Sequence, residues 1–258
     1  MMKQVLTGII IFFSIGLADA QMAKVHHAEP LYYDLVRDLG ARKGEKELNI
    51  GADFRNVNHE NEYVFLAEYE FAPVNRLGVE VETDFSVMQQ NVNEKNEKKG
   101  ELEAVRVSAQ YSFFVSEKYA TTLAVGYTQI AEKVDFKRNR GRLVKQMTFN
   151  PFFVAAKRWG KNWHSMIYTY PLFQKGLNKT ETSWDINTSV HYALPHSRHM
   201  VGMEINEEFS HGKVESTLRP QVKLKLNNAL ALGVVSGFPV HSRQESFSSF
   251  FRVIYELN

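Results

Sequence analysis

The sequence predicts an all-β protein, a single antiparallel up-and-down β-barrel of twelve strands that crosses a membrane. Stretches of alternating apolar and polar residues follow one another from residue 45 to residue 258, and successive side chains of a strand point to opposite faces. Most stretches have about ten residues or more, the length that a tilted strand needs to cross a bilayer. The connections between them are long and short in turn, as in transmembrane barrels.

A soluble β-protein is the alternative, because a secreted β-sandwich or ligand-binding barrel also alternates. Its apolar face would point inward, and its strands would have about five or six residues. The longer stretches here favour the membrane barrel.

The composition excludes several classes of protein. Lys and Arg number 31 against 29 Asp and Glu, so the charge balance gives no reason to expect a nucleic-acid partner. The chain has no cysteine, which excludes a disulfide framework and a lipid-modified N-terminal cysteine. No internal stretch reaches the roughly 18 consecutive apolar residues of a membrane-spanning helix.

Residues 1–20 predict a cleaved signal peptide. Lys3 supplies a positive charge, Val5–Leu17 is an apolar core, and Ala18-Asp19-Ala20 fits the small-x-small cleavage pattern. We expect a secreted protein whose mature chain begins near Gln21.

Residues 21–44 do not alternate, and they predict a short amphipathic helix before the barrel. Pro30 suits a first helical turn, and Gly40 can end the helix. Leu31, Leu35 and Leu39 recur every four residues. The helix is a candidate plug through Pro30 and these leucines, although it could also lie at the barrel mouth or on the membrane surface.

The barrel itself is predicted over residues 45–258. Its strands are expected at Glu47–Phe54, Glu62–Phe71, Leu77–Val87, Leu102–Val115, Tyr119–Val134, Leu143–Lys157, Trp163–Phe173, Thr182–Leu194, His199–Ser210, Thr217–Leu226, Ala229–Phe238 and Phe247–Leu257. The first and last connections are both long, so an even strand number puts both ends on the short-turn side. In bacterial barrels that side is the periplasm.

Two blocks carry a resemblance to a known family. The first comprises His27–Tyr32, Asp34-Leu35 and Arg37–Glu47, and the second comprises Tyr69–Pro73 and Arg76–Glu80. Together they resemble a family of bacterial outer-membrane barrel proteins, specifically over about the first sixty mature residues and at pattern level beyond them. The resemblance implies an outer-membrane location and gives no substrate.

One face of most strands carries charged residues, which would face the lumen because charge facing hydrocarbon is costly. Ten charged positions are predicted to line it: Glu68, Glu70, Glu80, Glu82, Asp84, Arg106, Arg219, Lys223, Lys225 and Arg252. Acidic residues on one side and basic residues on the closing side favour a field that orients polar solutes in a narrow pore. A lumen filled by structural ion pairs fits equally well. The sixth and seventh strands are apolar on both faces, and their register stays open.

No catalytic site, metal site or cofactor is predicted. His164-Ser165, His196-Ser197 and His241-Ser242 place a base beside a nucleophile, but neighbours on a strand point to opposite faces and cannot form such a contact. No metal site is expected at His26-His27 or at His196 and His199, because neither pair has the neighbouring carboxylate or thiol ligands that a metal site usually has. A lipid hydrolase is therefore the least favoured reading.

Contacts with the membrane are expected at two places. Lys137, Arg138, Arg140 and Arg142 lie in a predicted extracellular loop that could bind lipopolysaccharide phosphates, and a solvated loop is the alternative. The C-terminal strand Phe247–Leu257 is expected to be handled by the barrel-assembly machinery, and outer-membrane lipids would surround the barrel.

The pattern favours a passive or gated channel for small polar or amphipathic solutes whose identity the sequence does not give. A non-conducting structural or surface-interaction barrel is the alternative.

Overall fold

A computed structural model describes residues 24–57, 60–92, 95–134, 144–176, 179–241 and 245–257. These residues form one closed antiparallel barrel in which each strand pairs with its neighbours in the chain and the last pairs with the first. The strands are β1 (Lys46–Val57), β2 (Glu60–Val74), β3 (Leu77–Val92), β4 (Lys95–Ser116), β5 (Thr121–Val134), β6 (Gln146–Trp159), β7 (Trp163–Gly176), β8 (Thr180–Ala193), β9 (Met200–Ser210), β10 (Lys213–Lys225), β11 (Leu230–His241) and β12 (Glu245–Leu257). The twelve-stranded up-and-down barrel is thus confirmed.

The barrel is apolar outside and polar inside. Val107, on the outer face of β4, is 49% exposed, whereas Glu204, on the inner face of β9, is 0% exposed. The apolar residues of the other outward-facing rows are exposed like Val107. The polar residues Glu70 and Gln110 face inward and are buried like Glu204. A soluble barrel would show the opposite arrangement, so the outer surface is built for contact with lipid.

Aromatic side chains project outward near both rims. Tyr119, Trp159 and Trp163 lie at the rim that carries the short turns, and Trp184 and Phe247 lie near the other rim. Aromatic belts of this kind lie at the two membrane–water interfaces of transmembrane barrels.

The prediction of long connections at one rim is only partly right. β3 continues to Val92 and β4 begins at Lys95, so most of residues 88–101, where the pattern predicts a loop, belong to strands. β9 and β10 are joined across residues 211–212 alone. Polar residues beyond a bilayer can continue a ladder because strand pairing satisfies their backbone while water solvates both faces. β5 ends at Val134 and β6 begins at Gln146, so 11 residues separate these two strands in the sequence.

Residues 24–45 contain bends and turns but no helix, so the predicted amphipathic helix is not found there. The reason is that side chains of the inner wall satisfy this segment's backbone, as described below, and an irregular chain can then be buried. No helix among the described residues is long and apolar enough to cross a membrane. The predicted signal peptide, residues 1–20, lies outside the described residues.

The orientation of the outer face predicts a depth-dependent cost of charge. Val107→Arg, on an outward position within β4, should lower the free energy of unfolding by about 2–4 kcal/mol in lipid bilayers, because the guanidinium would face acyl chains. Tyr119→Arg, outward at the rim, is the control and should cost about 0–1 kcal/mol. Urea titration followed by tryptophan fluorescence measures both, and equal losses at the two positions would contradict the orientation.

Candidate functional site

Residues 24–44 form the lumenal segment, of which residues 24–41 enter the barrel and contact its inner wall on several sides while residues 42–44 are exposed. Leu31 packs on the closing side, in a cluster with Ala231, Val235, Phe250 and Ile254. Leu35, Val36 and Leu39 pack on another side, against apolar residues of β5, β6 and β7: Ala124, Phe152, Val154, Ala156, Met166, Tyr168 and Tyr170. The apolar inner face of β6 and β7 is therefore the seat of the lumenal segment, and this explains why both faces of those strands are apolar.

Two glycines of the wall make room for this segment. A Cβ atom at Gly78 would lie 2.5 Å from Cβ of Arg37, and one at Gly233 would lie 2.9 Å from Cδ2 of Leu31. A larger residue at Gly78 would displace the segment, so the close approach there requires glycine, whereas at Gly233 the end of the Leu31 side chain would have to shift.

The carboxylate of Glu204 accepts hydrogen bonds from the backbone of the lumenal segment. The amides of Leu31 and Tyr32 both donate to its Oε1 at 3.0 Å, and the amide of Tyr33 donates to its Oε2 at 3.3 Å. Gln221 accepts a second bond from the Leu31 amide at 2.8 Å and donates to Glu204 at 2.6 Å. Hydrogen bonds to a charged group are worth roughly 1.5–3 kcal/mol each, so Glu204 is a strong anchor.

Buried Arg252 joins the lumenal segment to the wall by two ion pairs. Its guanidinium pairs with Asp34 of the segment and with Glu68 of β2, the latter at 2.7 Å. Burial raises the pKa of Asp34 to about 7, and the nearby Arg252 opposes that rise.

Arg37 makes the second connection. It lies on the segment and pairs with Glu47 of β1 at 2.8 Å and with Glu70 of β2 at 3.4 Å. Ligand oxygens of Asp34, Glu68 and Glu70 lie within 4.8 Å of one another, the spacing of a cation site. Arg252 already pairs with Asp34 and Glu68, and Arg37 already pairs with Glu70. We therefore assign this cluster of carboxylates to holding the lumenal segment in place.

Histidines hold the beginning of the segment. The amide of Ala28 donates to Nδ1 of His164 at 3.0 Å, and Nε2 of His27 shares a hydrogen bond with Oγ1 of Thr122 at 2.9 Å. Burial lowers the pKa of His27 to about 3, so its ring is neutral. Ser165 lies on the outer face, where it accepts a hydrogen bond from Trp159 at 2.8 Å. His164 and Ser165 therefore do not form a nucleophile–base pair.

The half of the lumen toward the rim opposite the short turns contains a cavity of about 450 Å³. The lumenal segment closes it at one end with Tyr32, Tyr33, Asp34 and Val36. The barrel wall provides the remaining lining, from strands on all sides.

The cavity lining is strongly acidic. Three guanidinium groups line it, those of Arg55, Arg106 and Arg252, and no lysine or histidine does so among the described residues. Arg106 pairs with Asp84 at 2.7 Å and with Glu82, and Arg55 pairs with Glu62 at 2.6 Å. The nine carboxylates of the lining are Asp34, Asp53, Glu68, Glu80, Glu82, Asp84, Glu103, Asp185 and Glu208.

The predicted lumen residues divide into two groups. Those that line the cavity are Glu68, Glu80, Glu82, Asp84, Arg106 and Arg252; those that do not are Glu70, Arg219, Lys223 and Lys225. Arg219 instead lies with Cζ 3.4 Å from the centroid of the Tyr32 ring, and Lys225 pairs with Glu256 at 2.7 Å. Tyr33, Asp185 and Glu208 also line the cavity and were not predicted as site residues, although the alternation places Asp185 and Glu208 on polar inner faces.

The four basic residues proposed to contact lipopolysaccharide, Lys137, Arg138, Arg140 and Arg142, lie outside the described residues. Their contact with lipopolysaccharide stays a prediction.

A family model described as HAEPLYID-like matches residues 23–256. The chain belongs to the HAEPLYID-like family. The eight letters of that name differ from residues 27–34 of this chain only at Tyr33, so the name corresponds to the part of the lumenal segment that Glu204 anchors. No match was found among curated protein sequences.

Solved structures of outer-membrane barrels share the fold. An outer membrane channel from Pseudomonas putida F1 is 11% identical with a TM-score of 0.64, over 89% of this chain and 100% of that chain. A KdgM porin solved in complex with disordered oligogalacturonate is 13% identical with a TM-score of 0.58, over 82% and 99%. A NanC porin is 10% identical with a TM-score of 0.57, over 82% and 99%. At such identities the likeness shows the fold, which supports an outer-membrane location.

The anchoring by Glu204 predicts how thiol reagents reach the segment. Because the chain has no cysteine, the buried substitution Ala28→Cys is a clean probe that should resist a maleimide reagent in the folded protein, whereas exposed Lys43→Cys should react. Adding Glu204→Gln should raise the labelling rate at residue 28 by about tenfold or more, since charged hydrogen bonds are lost. Labelling is measured by mass shift.

The matched control for this experiment is Glu207→Gln, because Glu207 lies on the same strand with its side chain on the outer face. It should leave labelling at residue 28 unchanged. Rapid labelling of Ala28→Cys without any second change would show that the segment is not docked.

Proposed function

We propose that this member of the HAEPLYID-like family is a gated outer-membrane channel for small polar or amphipathic solutes, with the lumenal segment as its plug. The observation that supports it is the division of the lumen: one half is an acidic cavity, and the other half is filled by a segment of the chain itself.

The attachment of the segment supports a removable plug. Residues 24–45 form no strand, and β1 pairs with β12 to close the barrel without them. The segment is held mainly by side chains, chiefly Glu204, Arg252 and the apolar residues that pack on its leucines. At its end the amide of Gly44 donates to the carbonyl of Ala72, and the amide of Arg76 donates to that of Ala41. Its departure would therefore break these two terminal backbone bonds but none of the bonds that pair one strand with another.

The size of the cavity supports a small solute. Binding sites for small molecules have volumes of about 300–1,000 Å³, and this cavity has about 450 Å³. A solute that enters from the rim opposite the short turns would meet Tyr32, Tyr33 and Asp34. We propose that the rim of short turns is periplasmic, so that the plug closes the periplasmic half.

The charge of the cavity argues against the polyanionic ligand of one structural neighbour. Oligogalacturonate, which accompanies the KdgM porin, is a polyanion, and nine carboxylates line the cavity described here. Repulsion between like charges opposes the entry of such a ligand.

The second candidate is a non-conducting structural barrel. It is favoured by the depth of the anchoring, since the leucines of the segment are almost completely buried in two apolar clusters. In that case the segment would be a permanent part of the core.

Single-channel recording in planar bilayers separates the two candidates. Intact protein should show low or intermittent conductance, and deletion of residues 21–44 should give a larger and steady conductance, because the lumen would lose its filling. Full-length protein with Leu35→Asp and Leu39→Asp should open more often, since each carboxylate would be buried in an apolar cluster. Exposed Lys43→Ala is the matched control and should behave as the intact protein.

Heat-modifiable migration on a gel checks that each variant has folded. If every folded variant fails to conduct, the channel is wrong and the structural barrel is supported. Liposome swelling with sugars of graded size gives an independent measure of the same difference.

A further inference from the structure

The closed end of the cavity carries a row of aromatic rings. The ring centroids of Tyr170 and Tyr33 lie 6.2 Å apart, those of Tyr33 and Tyr32 lie 5.4 Å apart, and those of Tyr32 and Phe250 lie 5.7 Å apart. The row therefore crosses the lumen from β7 to β12 by way of the lumenal segment. Faces of aromatic rings attract cations, and Arg219 already lies against the ring of Tyr32.

Carboxylates stand on the wall beside this row. Asp185 on β8 lies directly opposite Tyr170 on β7, and Glu208 on β9 lies directly opposite Asp185. All three residues line the cavity. Like charges directly opposite each other on neighbouring strands repel, so a positive charge bound between these two carboxylates would be stabilised.

Several acceptor atoms of the cavity lining make no hydrogen bond to a described residue, and those of Asp185 and Asn150 lie beside the aromatic row. Asp185 is 6% exposed and Asn150 is 7% exposed. Oδ1 of each makes no hydrogen bond to a described residue. A buried acceptor without a donor is costly, and the guanidinium groups of the cavity form ion pairs with other carboxylates. A ligand that brings both N–H donors and positive charge would satisfy the acceptors that these guanidinium groups leave open.

We propose that this cavity binds small organic cations, with a protonated amine at Asp185 and Glu208 and an apolar frame over Tyr33 and Tyr170. This inference rests on the proposed function and deepens it, because it names the class of solute. The acidic lining would also concentrate cations at the cavity mouth. An inorganic cation would make no use of the aromatic row, and an anion would be repelled.

Calorimetric titration of the full chain, folded in detergent, tests the binding without any conductance measurement. The probe is 2-phenylethylammonium, compared at pH 7 with phenylacetate, 2-phenylethanol and magnesium chloride. Saturable binding of the ammonium compound alone is the expected result. Equal or tighter binding of the anion, the alcohol or magnesium, or no saturable binding of the ammonium compound, would overturn the proposal.

Variants locate the site. Asp185→Asn together with Glu208→Gln should weaken binding of 2-phenylethylammonium by about tenfold or more, because both charges at the amine are removed. Glu207→Gln, one residue from Glu208 but on the outer face, should leave binding unchanged. Unaltered binding in the double variant would overturn the assignment. If the barrel binds the cation but does not conduct, the proposed channel function is wrong and the proposed cation site is still supported.

Discussion

A chain segment buried inside a barrel must find hydrogen-bond partners for its backbone, and this constraint shapes the inner wall. Glu204 and Gln221 accept hydrogen bonds from the amides of Leu31 to Tyr33. Ser112 accepts one from the amide of Gly40, and His164 accepts one from the amide of Ala28. These polar side chains project inward because the alternation of each strand directs its polar residues to the lumen. The barrel pattern thus supplies both the lipid face and the partners of the lumenal segment.

Much of the fold could be predicted from the sequence, since alternation is a local property of each strand. It gives the twelve strands and the outward rows such as that of Val107. It does not give the ends of β3 and β4, because polar residues can either continue a ladder or form a loop. It also left β6 and β7 without a register. Their second apolar face is explained only by a distant segment, through Leu35 and Leu39.

The candidate site was predictable to a smaller extent. The alternation identifies inward charges, but the path of residues 24–44 decides which of them face the cavity. Glu70 pairs with Arg37 and does not line it, whereas Glu82 does. The spacing of Leu31 and Leu35 fits a helix, yet the two side chains pack on different sides of the lumen. Tertiary partners overrule local periodicity when they satisfy the backbone that a helix would otherwise satisfy.

Hydrogen exchange at the amides of Leu31, Tyr32 and Tyr33 tests most directly whether the segment is docked in the lumen. Mass spectrometry of peptides from the folded, full-length protein should find these amides strongly protected, because Glu204 and Gln221 bond them in a buried site. Exchange at the rate of an unstructured chain, in a barrel whose strand amides stay protected, would contradict the docking and with it the closed lumen.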